Sequence, residues 1–189
     1  MYKKLQTVLL GLLLTSALTA QDVPVKHCNV KFDGVDQSID QYVKEMHKEQ
    51  LFIFTPDAFK SMLVDYPLVE GEGALITTGG YTYFELSLKV NSSRARKDYG
   101  YIEKGNLIKF FLMDGTSFYS NTLGTAMPKL TDNRKATDYV VSCNIDKEEI
   151  KMLNKSYIDK IGIIWSKGYE EYEIYNPDFF VNQLSCIQE

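Results

Sequence analysis

The sequence has few of the residues that usually hold metals or carry nucleophilic catalysis. Its 189 residues include two histidines and three cysteines, with no Cys-x-x-Cys pair and no paired-histidine spacing. A Gly-x-Ser-x-Gly motif is missing, and the glycines match no phosphate-binding or dinucleotide-binding pattern. The sequence therefore predicts no metal site, no cofactor and no catalytic residue.

Positive charge is also scarce. Lysine and arginine number 21 against 25 acidic residues, which gives a net charge of −4. Proteins bind nucleic acid through clustered basic side chains. We therefore expect no nucleic-acid partner.

Long apolar runs are missing except near the start of the chain. The first twenty residues read MYKKLQTVLLGLLLTSALTA, with Lys3 and Lys4 before an apolar run at residues 8–14 and a small residue, Ala20, at the end. This layout predicts a secretory signal peptide over residues 1–20, and hence a periplasmic or secreted protein. The run is too short to cross a bilayer, which takes about 20 apolar residues, so we expect no transmembrane segment.

The odd number of cysteines leaves at least one thiol unpaired. Cys143 alternates with Tyr139 and Val141, which places it toward a core as a reduced thiol. Cys28 and Cys186 lie near the two ends of the mature chain, and the ends of a domain are often close in space. We predict a Cys28–Cys186 disulfide, with three unpaired thiols as the alternative.

Strand patterns outnumber helix patterns after residue 20. Apolar and polar residues alternate over 81–90, residues 107–113 and 158–165 are apolar runs, and Asp114-Gly115 is typical of a hairpin turn. The predicted fold is α+β or mainly β: a largely antiparallel sheet or sandwich with short flanking helices. Residues 21–189 are expected to form a single domain.

Three segments carry weaker patterns. Thr55-Pro56-Asp57 is typical of a helix start, and the glycine-rich residues 69–80 predict a loop. Residues 38–49 fit either a capped helix or an irregular strand.

Four tyrosines are predicted on outward strand faces: Tyr81, Tyr83, Tyr169 and Tyr175. Aromatic side chains supply rigid contact surface for protein partners or sugar rings. If their strands are neighbours, these tyrosines form a binding platform. The alternative is that a second layer covers them.

The runs GNLIKFFLMDG (residues 105–115) and TDYVVSCNIDKEEIKMLNKSYIDKIGII (residues 137–164) resemble small exported proteins of Bacteroidetes-type Gram-negative bacteria. The shared features are a strand ending in Asp-Gly, a second strand, a short acid-capped helix and an isoleucine-rich strand. The resemblance spans about residues 100–175. It implies a periplasmic or secreted setting and a β-rich fold, with no activity, cofactor or catalytic residue attached.

We expect a non-catalytic exported module that binds a protein, a glycan or an envelope component. One alternative is a small extracytoplasmic hydrolase that uses paired acidic residues, such as Glu70 and Glu72 or Glu171 and Glu173. Such an enzyme would need a concave pocket and a carboxyl of raised pKa. Another is a structural or assembly protein.

Overall fold

The computed structural model describes residues 28–61, 66–131 and 135–187. The predicted signal peptide, residues 1–20, lies outside these ranges. In chain order the described strands are β1 (Val30–Asp36), β2 (Gln41–Met46), β3 (Glu49–Phe54), β4 (Val69–Thr78), β5 (Tyr81–Val90), β6 (Leu107–Leu112), β7 (Ser117–Asn121), β8 (Lys129–Leu130), β9 (Thr137–Ile145), β10 (Ile158–Trp165) and β11 (Gly168–Glu173). The described helices are α1 (Ala95–Asp98), α2 (Lys147–Lys155) and α3 (Phe179–Ile187).

These strands form two antiparallel sheets. The larger sheet has the order β1-β2-β4-β5-β9-β8, with β3 also paired to β4, and the smaller sheet has the order β11-β10-β6-β7. A core of apolar side chains from both sheets and from α3 lies between them, and Phe84 of β5 meets Phe110 of β6 at 5.7 Å between ring centroids. The predicted mainly antiparallel sandwich with short helices is confirmed.

The prediction of a loop over residues 69–80 is wrong, because residues 69–78 of this range form β4. Gly71 and Gly73 do not break the strand. They leave space over which Phe52, Leu51 and Phe84 pack. Glycine inside a strand often marks such a close approach. Because glycine is also common in turns, the sequence pattern favoured a loop here.

Of the two structures predicted for residues 38–49, a helix or an irregular strand, the strand is the one that forms. A turn follows β1, with Asp40 at a positive φ of 51°, and β2 begins at Gln41. The helix expected after Pro56 is a single 3₁₀ turn, Asp57–Phe59, and residues 62–65 lie outside the described ranges.

Two helices of nine residues each, α2 and α3, lie near the end of the chain. Asp146 caps α2, because its carboxylate accepts hydrogen bonds from the backbone N–H groups of Glu148 and Glu149. The Glu149 carboxylate in turn accepts a hydrogen bond from the backbone N–H of Asp146. In α3, Phe180, Leu184 and Ile187 are buried. No helix within the described residues is long and apolar enough to cross a membrane.

A disulfide joins Cys28 to Cys186, with 5.5 Å between the two Cα atoms. It fastens α3 to the chain just before β1. Cys143 is buried and unpaired. The predicted pairing and the predicted reduced thiol are both confirmed.

Candidate functional site

The four tyrosines predicted to face outward lie on two different sheets. Tyr81 and Tyr83 belong to β5 in the larger sheet, whereas Tyr169 lies in β11 and Tyr175 just after it, at the edge of the smaller sheet. The outer faces of two packed sheets point away from each other. The structure therefore places the four residues on two separate surfaces, with Tyr81 and Tyr83 on one and Tyr169 and Tyr175 on the other.

Tyr169 and Tyr175 belong to one row of side chains along β11. Tyr172 and Ile174 point into the core, and the alternate residues Tyr169, Glu171 and Glu173 are exposed. Tyr175 continues the row and is 61% exposed. We call the row formed by Tyr169, Glu171, Glu173 and Tyr175 the β11 row.

Tyr169 is held at one end of the β11 row. Its backbone pairs with Ile164 of β10, and its phenol end lies directly against Gly162, two residues along that strand. The hydroxyl donates to Glu171 Oε1 at 2.9 Å. Partial burial, with this bond to a carboxylate, raises the pKa of Tyr169 to about 12. The ring therefore stays uncharged and lies along the sheet, with 48% of the residue exposed.

Tyr175 is held at the other end. Its backbone N–H donates to Leu51 O at 2.8 Å, and its hydroxyl donates to Ile53 O at 3.1 Å. Both acceptors belong to β3, so these bonds join the edge of the smaller sheet to the edge of the larger one. The Tyr175 ring is fixed where the two sheets meet.

A groove of about 800 Å³ lies at this junction. Its lining combines apolar side chains of the β3 end with charged side chains: Ile53, Phe54, Thr55, Pro56, Asp57, Lys60, Pro67, Lys160, Glu171, Glu173 and Tyr175. Three of the four residues of the β11 row, Glu171, Glu173 and Tyr175, therefore form one wall of a concave surface. Large concave surfaces with convergent polar groups are where ligands most often bind.

A second aromatic group lies beside the β11 row on the outer face of the smaller sheet. Lys109 Nζ lies 4.2 Å from the centroid of the Phe111 ring and 5.2 Å from that of Tyr119. Tyr119 is exposed and close enough to Tyr169 to affect its pKa. Residues 107–113 form one apolar run in the sequence, and that pattern did not identify Lys109 and Phe111 as part of an outward face.

Tyr81 and Tyr83 form a smaller feature on the larger sheet. Their ring centroids are 6.4 Å apart, and Tyr81 is 62% exposed. Tyr83 is half-buried and lines a hollow of about 450 Å³ together with Ile76, Leu123 and Val140. The charged residues of the groove are not part of this hollow.

One carboxyl group of the groove, that of Asp57, is already paired with a lysine. The Lys60 ammonium, 2.7 Å from Asp57, holds the pKa of that exposed carboxyl below its usual value. Burial raises the pKa of Glu149, but its carboxylate caps α2 instead of facing the groove. A general acid needs a raised pKa at the site of reaction. Asp57 and Glu149 do not meet that requirement.

The part of the chain that the structure describes contains no group of three or more His, Cys, Asp or Glu side chains placed to hold a metal ion. Cys28 is oxidised in the disulfide, and burial raises the pKa of Cys143 to about 12, so neither offers a thiolate.

Comparisons of the chain with protein-family models, with curated proteins and with solved structures gave no match.

Proposed function

We propose that this chain is an exported, non-catalytic binding module whose ligand lies along the β11 row and in the adjoining groove. The leader pattern at residues 1–20 and the Cys28–Cys186 disulfide are both compatible with export. The resemblance to exported proteins of Bacteroidetes-type bacteria supports a periplasmic or secreted setting.

One observation carries the proposal: two exposed tyrosines, Tyr169 and Tyr175, are each held in place by a hydroxyl hydrogen bond at the ends of one row. An exposed aromatic ring that is already fixed loses little side-chain entropy when a ligand binds. The concave wall between the rings adds contact area. The surface is thus organised for binding before any ligand arrives.

The test is capture on isolated cell envelopes of a Bacteroidetes-type bacterium. A fluorescently labelled protein of residues 21–189 is incubated with the envelopes and sedimented. We expect the protein to be retained, and we expect a Tyr169→Ala/Tyr175→Ala variant to remain in the supernatant. A Tyr81→Ala/Tyr83→Ala variant is the matched control, since it removes two exposed or half-exposed tyrosines from the other sheet.

Three results would contradict the proposal. If the envelopes retain none of the protein, the proposed binding role is wrong. Loss of capture in the Tyr81→Ala/Tyr83→Ala variant alone would move the site to the larger sheet. Self-association of the purified protein that depends on Tyr169 and Tyr175 would favour an assembly role for the same surface.

A further inference from the structure

We infer that the ligand of the β11 row is an uncharged oligosaccharide that runs from Tyr169 to Tyr175. This inference rests on the proposed function, because it names the class of ligand for the same surface. Four features of the surface support it: the placement of the rings, the polar groups between them, the balance of charge and the length of the row.

The two rings suit the C–H surfaces of sugars. The phenol end of Tyr169 lies against Gly162, where a Cβ atom would stand 2.8 Å from the Tyr169 Cζ. A side chain at position 162 would therefore push the ring away from the sheet. Gly162 lets the ring lie along the surface, where its negative π face can meet the weakly positive C–H groups of a sugar.

The groups between the rings suit hydroxyl partners. Glu171 accepts from Tyr169 and keeps free lone pairs, and Glu173 is exposed beside it. Lys160 pairs with Glu173 across the strands and also lines the groove. A sugar hydroxyl can donate to a carboxylate and accept from an ammonium in charge-assisted hydrogen bonds.

The charge of the site favours an uncharged ligand. The groove is lined by three acidic side chains and two lysines, and Lys109 lies on the adjoining face. Such mixed charge gives no strong attraction to an acidic or a basic peptide. A hydroxyl-rich chain can use both kinds of group at once, whereas a charged ligand would meet repulsion from one of them.

The length of the row favours a chain over a single sugar. Tyr169 and Tyr175 are six residues apart, which is roughly 20 Å along an extended strand. A monosaccharide would reach only one of the two rings. An oligosaccharide could stack on both and bind Glu171 and Glu173 between them.

The test measures binding of three soluble, uncharged hexasaccharides by isothermal titration calorimetry. The probes are the β1→4 glucose, α1→4 glucose and β1→4 N-acetylglucosamine hexamers, titrated into residues 21–189. We expect at least one to bind, and we expect Tyr169→Ala and Tyr175→Ala each to weaken that binding about tenfold. Tyr81→Ala is the matched control and should leave binding unchanged.

Gly162→Ala tests the geometry without removing a contact residue. The added methyl group displaces the Tyr169 ring, so we expect weaker binding although both tyrosines remain. Thermal unfolding of each variant shows whether it is folded. Tyr169→Phe gives a second readout, because it keeps the ring and should bind more tightly than Tyr169→Ala.

Chemical treatment of the envelopes separates this inference from the proposed function. Periodate cleaves the vicinal diol of 1→4-linked glucose, whereas the inner units of a β1→4 N-acetylglucosamine chain have no such diol. We therefore expect periodate to abolish envelope capture if a glucose hexamer is the probe that binds. Protease treatment should leave capture intact whichever probe binds. Capture that survives periodate but not protease would show a protein ligand, which overturns the inference and leaves the binding role standing. Cleavage of a bound hexasaccharide that stops in Glu171→Gln would instead overturn the non-catalytic assignment.

Discussion

The side chain of Gln183 in α3 accepts a hydrogen bond from the backbone N–H of Leu75 in β4, at 2.8 Å between Oε1 and N. This bond fills a gap in the larger sheet. One edge of β4 pairs with β3 up to Gly73 and with β2 from Ile76 onward. The buried N–H of Leu75 lies between these two pairings, and α3 supplies the acceptor that neither strand provides.

Replacing Gln183 with leucine should destabilise the fold. The N–H of Leu75 would remain buried without an acceptor, and an unsatisfied buried donor costs about 1–3 kcal/mol. Urea unfolding followed by circular dichroism measures the change. Asn182→Ala, one residue earlier on α3, serves as the control and should change the free energy of unfolding by less. A Gln183→Leu variant as stable as the parent would show that this bond is dispensable.

Gly71→Ala and Gly73→Ala should each weaken the fold by about 1–3 kcal/mol, the usual cost of overpacking a core. A Cβ at position 73 would stand 2.7 Å from Leu51 Cδ1 and from Phe84 Cε2, and one at position 71 would collide with the Phe52 ring. The control is Gly34→Ala in β1, where the nearest atom is 3.7 Å away. The urea concentration at the midpoint of unfolding should be unchanged or higher in Gly34→Ala.

The disulfide should contribute strongly to stability, because its cysteines are 158 residues apart. The chain-entropy model gives about 5 kcal/mol for a loop of that length. A Cys28→Ala/Cys186→Ala variant should therefore unfold at a much lower urea concentration. In a thiol assay the native protein should show no reactive thiol, the unfolded protein one, and the unfolded and reduced protein three. More than one thiol before reduction would contradict the disulfide.

Stability should fall at alkaline pH. Burial raises the pKa of Cys143 from 9.0 to about 12 and that of Tyr139 from 10.0 to about 12. Each group therefore binds its proton more tightly in the folded state. This contribution is complete below the unfolded pKa and is lost as pH rises from there toward the folded value.

The check is urea unfolding at several pH values between neutral and alkaline. Cys143→Ala should be less stable than the parent at neutral pH because it leaves a cavity. The difference should shrink as pH rises past about 9, where the unfolded thiol ionises. A difference that does not depend on pH would show that the thiol is not linked to folding.

Local patterns predicted most of the strands and helices correctly. Alternation identified β5, Asp114-Gly115 identified the hairpin from β6 to β7, and the apolar run at 158–165 identified β10. These signals depend on the backbone and burial preferences of a few neighbouring residues, so they can be recognised without knowing the long-range contacts. The glycine-rich β4 was not predicted, because its glycines make room for side chains that lie on other strands.

The candidate site was predicted only in part. Alternation placed Tyr169 and Tyr175 on an outward face, and both are exposed. It could not show that Tyr81 and Tyr83 belong to the other sheet, since sheet membership depends on long-range pairing. It also missed Lys109 and Tyr119, which reach the site through the pairing of β6 with β7 and β10.

By itself the sequence determined the β-rich class, the turn and cap positions, and the outward row along β11, because all of these follow from local periodicity and backbone preference. Tertiary structure alone decided which strands are neighbours, that Gln183 completes the larger sheet, and that Gly162 holds a tyrosine against its surface. Those relations join residues far apart in the chain, and only the packing of the two sheets and α3 brings them into contact.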